Sequence, residues 1–192
     1  MTYLEQINKI DGYLLFEEIE ELVRLAKEAK DCIVEIGSYK GKSTIALAYG
    51  SQMGEGVPIY AIDPHDSYID IGGGTFKPSD SIEFLRNIIN YNCACFINII
   101  NLPSNIVAKV WYKIIDLLFI DGDHTYNVVK NDFENWRQHV KNDGCIVMHD
   151  SNWPGPARVI EEAEEWNVIK KVGTLSILRK KSKECYYADN QM

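Results

Sequence analysis

VEIGSYKGKST (residues 34–44) runs an apolar strand into a glycine turn and on into the start of a helix, with Glu35 two residues ahead of Gly37 and Gly41 four residues beyond it. Glycines at such positions let backbone N–H groups and a helix N-terminus come up to a polar ligand. Two spacings compete for this geometry. A phosphate-binding loop needs G-x-x-x-x-G-K-[ST], and the step from Gly37 to Gly41 ahead of Lys42-Ser43 is one residue short of it. The stretch also fits E-x-G-x-x-x-G, in which an acid precedes the turn.

Outward from this run, short apolar segments alternate with helical patterns. Residues 32–36, 57–62, 95–100, 114–120 and 145–148 read as buried parallel strands. The helices between them are predicted over 42–50, 81–91, 104–110 and 126–140, and a further helix over 157–166 starts after Pro156. A leading helix over 14–30 places Leu15, Ile19, Leu22, Val23 and Ala26 on one face. The last two apolar runs, 168–172 and 174–178, flank Gly173 with no room for a helix, so they pair as an antiparallel hairpin. The expected fold is a doubly wound, Rossmann-like α/β sheet of seven strands, mostly parallel and closed by a C-terminal antiparallel hairpin. Ligands of such sheets collect at the carboxyl ends of the strands.

The chain has 192 residues, 46% of them hydrophobic, which suits a single domain over 1–192 with a leading helical segment at 1–31 and a solvated tail at 180–192. A net charge of -8 argues against a nucleic-acid partner, whose binding relies on clustered Lys and Arg. No apolar run reaches the roughly 20 residues of a membrane span, and the first residues lack a signal-peptide pattern, so a cytoplasmic protein without membrane contact is expected. Five cysteines at 32, 93, 95, 145 and 185 show no C-x-x-C spacing and read as buried thiols, not as a zinc site or disulfide framework. The apolar face of the leading helix packs on the sheet or supports a homodimer.

Polar residues gather at the expected strand ends. Glu35, inside an apolar strand, needs a cationic or hydrogen-bonding partner, supplied by a ligand or by Lys40 or Lys42. Asp63 falls about 26 residues after Gly37, close to the offset at which an acid meets ribose hydroxyls, and Asp63-Pro64 equally suits an Asx turn. Ser104 and Asn105 follow the third strand, beside an adenine edge or as a helix cap. FIDGDHTY (119–126) ends the fourth strand with Asp121, Asp123 and His124, and His149-Asp150 ends the fifth. Capping by Asp123 or Thr125 accounts for one of these groups but not for all. Asp121, His149 and Asp150 form a nitrogen and oxygen set suited to a divalent ion.

Residues 34–150, through VEIGSYKGKST together with FIDGDHTY, resemble the class I S-adenosylmethionine-dependent methyltransferases. They are most similar to the small O-methyltransferase branch with the catechol, caffeoyl-CoA and antibiotic-sugar enzymes. The resemblance implies S-adenosylmethionine as cofactor, held by Glu35, Gly37, Ser38, Tyr39, Gly41, Ser43, Asp63, Ser104, Asn105 and Asp121. It implies a divalent metal, Mg²⁺ or Mn²⁺, at Asp121, His149 and Asp150. This chain departs from the metal-dependent relatives in carrying an imidazole at 149, which suits Mn²⁺, Fe²⁺ or Zn²⁺ better than Mg²⁺ and leaves open a metal-free site with His149 as a hydrogen-bonding residue. His124 stands three residues after Asp121, where catechol-type enzymes place a catalytic Lys and antibiotic-sugar relatives more often a His. His124 is therefore the expected base of an O-methyl transfer, with Asp121 beside it. The chain carries no long recognition insertion, so the expected acceptor is a small hydroxylated molecule, a sugar or a phenol. The segment 64–78 reads as a lid or an ordinary flexible connection, and Trp153 as an aromatic wall or turn packing. The competing functions are a non-catalytic S-adenosylmethionine-binding module and a P-loop-like nucleotide-binding protein.

Overall fold

The computed structural model describes residues 2–181. Strand β1 (Ile33–Ile36) lies at the centre of a seven-stranded sheet. On one side it is followed by β2 (Ile59–Ile62) and β5 (Ile97–Ile100), and on the other by β6 (Ile115–Ile120), β7 (Val140–Met148), β9 (Leu175–Lys180) and β8 (Trp166–Val172). The first five are parallel, whereas β9 runs antiparallel to both β7 and β8. β1 and β6 are buried along their whole length, as parallel strands covered on both faces must be.

Two apolar layers cover the sheet. Helix α1 (Tyr3–Ile7), α2 (Phe16–Glu28), α3 (Lys42–Met53) and α4 (Asp80–Asn90) bury Ile7, Ile19, Leu22, Ile45, Phe84 and Ile88 against one face. Helix α5 (Ser104–Val107), α6 (Tyr126–Trp136) and α7 (Pro154–Glu162) bury Val107, Val129, Phe133, Trp136 and Val159 against the other. A separate two-stranded hairpin, β3 (Tyr68–Ile69) with β4 (Thr75–Phe76), rises from the connection after β2. The carboxyl ends of β1, β2, β6 and β7 therefore open on one edge of the sheet, beneath this hairpin.

Several expected boundaries move. The leading helix starts at Phe16, with Leu15 at its N-cap and 47% exposed, so Leu15 leaves the buried stripe. Strand β7 begins at Val140, which pairs with Ile115 of β6 ahead of a register shift that passes over residues 141–144 to Cys145. Helix α7 begins at Pro154, with Pro154 and Pro156 both in its first turn, where a missing N–H costs nothing. β5 begins only at Ile97, after a 3-10 turn at Ala94–Phe96 that leaves Cys95 exposed while Cys32, Cys93 and Cys145 are buried. Most of the expected 180–192 tail, with Cys185, lies outside the described residues. Among those described, no helix is long and apolar enough to cross a membrane.

Candidate active site

The glycine turn after β1 is built as its sequence requires. Gly37 and Gly41 have φ of 85° and 88°, and a Cβ at Gly37 would lie 2.1 Å from the Asp121 carbonyl oxygen at the end of β6. Only glycine lets these two strand ends approach so closely. Asp63, at the end of β2, accepts the N–H groups of Ser38 and Tyr39 on Oδ2, both at 2.9 Å, and that of His65 on Oδ1 at 2.7 Å. The Asx turn is thus present, and the same carboxylate braces the glycine turn while lining the cleft beside Gly37. A ribose contact would use its remaining lone pairs.

Glu35 sits beneath the turn, fully buried. Its Oε2 accepts the Thr44 hydroxyl, and its Oε1 has no partner. Burial pushes its carboxyl up to about 8, against the opposing pull of the Ser43 and Thr44 hydroxyls. Glu35 does not reach the cleft wall, in contrast to the direct cofactor contact expected of it; it underlies the turn through α3 instead. Lys42, a candidate phosphate ligand in the P-loop reading, is also buried, with its ammonium 3.3 Å from the Gly12 carbonyl oxygen.

Two cavities meet at the turn and share Gly37, Asp63, Asp66, Tyr68 and Gly122. One lies between β2, α5 and α6 and is lined by Ser104, Asn105 and Asp132. Asp132 is hydrogen-bonded to the Ser104 hydroxyl, and burial raises its carboxyl to about 6 despite that bond. Asp132 was not among the expected site residues. Its signal was available, since it breaks the apolar stripe of Val129, Phe133 and Trp136 on α6.

The second cavity ends on the polar cluster at the tips of β6 and β7, which Asp121, His124, His149 and Asp150 all line. His149 Nδ1 lies 2.9 Å from Asp121 Oδ1 and 3.4 Å from Asp150 Oδ2. His124 Nε2 lies 3.2 Å from Asp150 Oδ2 and 3.9 Å from Asp121 Oδ1. Asp150 holds this place in a left-handed conformation, φ 44°, which is uncommon for a residue other than glycine and marks a position held by its surroundings. Asp123 accepts the Thr125 N–H at 2.6 Å in an Asx turn ahead of α6, whose N-cap Thr125 makes no side-chain cap bond, so the helix capping expected of Asp123 or Thr125 is not made.

Two further acids belong to the cluster and were not foreseen. Glu18 from α2 is fully buried, with Oε2 3.4 Å from His149 Nε2. Asp70, in the β3–β4 hairpin, places Oδ1 3.2 Å from His124 Nδ1. Burial opposes the charged form of both imidazoles, but the carboxylates prevail. Asp121, Asp150 and Glu18 hold His149 well above its ordinary value, and Asp150, Asp121 and Asp70 raise His124. Burial likewise opposes ionisation of Asp150, and the two imidazoles overcome it and pull its carboxyl well below the usual range.

The donor set fits a small divalent ion. Ligand atoms of Asp121, His124 and His149 lie within 4.8 Å of one another, and Asp150 lies between the two rings. Each ring also has a carboxylate at its other nitrogen, the arrangement that orients metal-bound imidazoles. The converging group is thus Asp121, His124 and His149 in place of the expected Asp121, His149 and Asp150, with Asp150 Oδ2 3.4 Å from His149 Nδ1 and 3.2 Å from His124 Nε2.

A sheet of this order, with a glycine turn and a polar cluster at its carboxyl edge, is Rossmann-like. The model of the methyltransferase-domain family matches residues 34–151, and the chain belongs to that family. A curated relative, uncharacterized protein R132 of Acanthamoeba polyphaga mimivirus, is 26% identical over 141 residues, which make up 72% of this chain and 59% of the relative. The chain thus spans about three-fifths of the length of that relative. Among solved structures, an O-methyltransferase from Bacillus cereus in complex with SAH superposes with a TM-score of 0.66 at 16% identity over 93% of this chain and 90% of its own. CalS11, a TDP-rhamnose 3'-O-methyltransferase of calicheamicin biosynthesis, gives 0.63 at 14% identity over 93% and 87%. At these identities the likeness is one of fold.

Proposed function

We propose that this protein is an S-adenosylmethionine-dependent O-methyltransferase for a small hydroxylated acceptor, a sugar or a phenol, with His124 as base and a divalent ion at Asp121, His149 and Asp150. The observation that carries the reading is the junction of the two cavities at Gly37. The cavity beside Asn105 and Asp132 suits a nucleoside, and the other leads to the His124 cluster.

When bound, S-adenosylmethionine supplies an electrophilic methyl group on a sulfonium. Gly37 and Ser38 bring the backbone up to that ligand, and Asp63 keeps the turn in shape. Glu35, buried beneath the turn, holds the Ser43–Thr44 start of α3 behind that ligand through the Thr44 hydroxyl. Ser104 and Asn105 lie beside the base. His124 Nε2 would take the proton of an acceptor hydroxyl in the second cavity as that oxygen displaces S-adenosylhomocysteine from the methyl group, with Asp70 and Asp150 facing the resulting imidazolium. The carboxylates of Asp150, Asp121 and Asp70 raise His124 and so work against this transfer. A divalent ion at Asp121 and Asp150 would offset the charge of those two carboxylates and favour the acceptor's alkoxide. The imidazole of His149 suits Mn²⁺, Fe²⁺ or Zn²⁺ better than Mg²⁺ for this place.

Calorimetric titration with S-adenosylhomocysteine and, separately, with ATP plus Mg²⁺ tests the cofactor: the first is expected to bind and the second not, and the reverse result would overturn the reading. Turnover is then assayed on a panel of hydroxylated sugars and phenols. His124→Ala is expected to lower kcat by about 10²–10⁴-fold, the range of a general base, with cofactor affinity retained. Full turnover in that variant would remove His124 from the role.

A further inference from the structure

The β3–β4 hairpin is built inside out. Its apolar residues Ile69 and Ile71 are 74% and 56% exposed, whereas the acid between them, Asp70, is 8% exposed. A surface hairpin folded for its own stability would do the opposite, because burying a carboxylate costs free energy that only a partner returns. That partner is His124, 54 residues away in the chain, whose Nδ1 lies 3.2 Å from Asp70 Oδ1. We infer that Asp70 is the positioning residue for His124 and that the hairpin is the flap that delivers it, an inference that rests on the role of His124 given above.

The local structure holds Asp70 for this task. Gly74 accepts its N–H at 2.9 Å, its own carbonyl accepts the Gly73 N–H at 2.8 Å, and its Oδ2 faces the Gly72 N–H at 3.3 Å. Oδ1 is left for the imidazole. The flap is fastened at both ends of the site. At the cofactor end Phe76 stacks on Tyr68 and meets Tyr39 of the glycine turn edge-on, with centroids 4.5 and 5.0 Å apart. At the other end Gly72 lies so close to the Trp153 ring that a Cβ would come within 2.2 Å of it. Trp153 in turn leans on the His124 ring, 4.8 Å between centroids.

The consequence is chemical. A carboxylate oxygen only accepts, so the proton between Asp70 and His124 resides on Nδ1 of the ring. In the neutral imidazole this leaves the lone pair on Nε2, which is buried, makes no hydrogen bond even to Asp150 Oδ2 at 3.2 Å, and faces the cluster where the acceptor hydroxyl enters. A free histidine side chain prefers the other tautomer, with Nε2 protonated and useless as a base. Closing the flap therefore selects the reactive form of His124 at the moment the site is covered.

The tautomer is read directly by long-range proton–nitrogen correlation spectroscopy on the full chain labelled at its histidine rings, with saturating S-adenosylhomocysteine and at a pH above the titration of His124. Four histidines are present, and His124→Gln assigns the signal in question. The expected result is an Nδ1-protonated ring in the native protein and a predominantly Nε2-protonated ring in Asp70→Asn. Gly72→Ala, which pushes the flap off Trp153 while keeping the Asp70 carboxylate, is expected to give the same change. An unchanged Nδ1–H signal in Asp70→Asn would overturn the inference, and a change in Asp70→Asn but none in Gly72→Ala would overturn the part played by flap docking. Retained binding of S-adenosylhomocysteine in both variants confirms that they fold, whereas lack of binding by the native chain would defeat the underlying function and not the positioning.

Discussion

At the scale of single residues, Glu35 has the largest consequence for pH. In the folded chain its carboxyl sits at about 8, against an ordinary value of 4.5. Between those two values the native state keeps a proton that the unfolded chain has released, so the stability gained from that proton is complete below the lower value and drains away as pH rises toward the upper. Glu35→Gln keeps the shape and the Thr44 contact but cannot titrate. Urea unfolding as a function of pH is expected to show native stability falling across this window, with a flatter profile for the variant. Parallel profiles would mean that Glu35 is ionised in the folded protein. Gly37 makes a second prediction: alanine there must adopt a positive φ and drive its Cβ into the Asp121 carbonyl. The backbone strain alone is about 1–3 kcal/mol, so Gly37→Ala is expected to lower the unfolding midpoint and abolish S-adenosylhomocysteine binding together. Gly37 was legible in the sequence because its spacing to Glu35 and Gly41 needs no distant partner to be seen.

At the scale of elements, the joint between α2 and the β8–β9 turn holds the back of the site. Glu18 takes the Thr174 N–H and hydroxyl on Oε1, at 2.6 and 2.9 Å, and the Leu15 N–H on Oε2 at 2.8 Å. Its charge is also well placed in the first turn of a helix. Burial works against that charge, and the His149 imidazole with the Leu15 and Thr174 donors outweighs it and lowers the carboxyl's value. Gly173 admits the carboxylate: its φ is 55°, and a Cβ would stand 2.4 Å from Glu18 Oε1. Thr174 then carries the link onward, its carbonyl accepting from the N–H and hydroxyl of Ser151 at 3.0 and 2.6 Å, directly after Asp150. Removing a partner from such a buried ionic joint costs about 3–5 kcal/mol, so Glu18→Ala is expected to lose that much in denaturant unfolding, with Glu18→Gln losing less. A loss below about 1 kcal/mol would put Glu18 in the class of surface acids. None of this was legible beforehand. Glu18 is one of four glutamates within FEEIEEL, and only a turn 156 residues away distinguishes it from its neighbours. The β3–β4 hairpin escaped for a different reason: strands of two residues are too short to carry an alternating pattern.

At the scale of the whole molecule, the five parallel strands, the helices between them and the closing antiparallel pair follow from apolar runs that are local and periodic. The sheet order follows from right-handed crossovers. What such patterns cannot carry is the convergence of Glu18, Asp70, Asp121, His124, His149 and Asp150 from four separate elements and connections, since each reaches the cluster through tertiary packing. That convergence leaves several carboxylates and two imidazoles in one cleft, with the glycine turn, the flap and the β6 and β7 ends all bordering it. A ligand that fills the cleft touches each of these parts and binds only the folded chain. Its effect on stability is then set by mass action: at 100 times the dissociation constant the gain is about 2.7 kcal/mol. For a domain of this size each kcal/mol moves the unfolding midpoint by about 2–4 °C, so saturating S-adenosylhomocysteine is expected to raise it by about 5–11 °C. Mn²⁺ is expected to add a separate increment that a chelator removes and that Asp121→Asn lacks. Scanning calorimetry of the native chain with each ligand alone, and with both, distinguishes the outcomes. A midpoint that moves with neither ligand would mean that the cleft binds something else, and one that moves with S-adenosylhomocysteine but not with Mn²⁺ would make the imidazoles, not a metal, the counter-charge of the cluster.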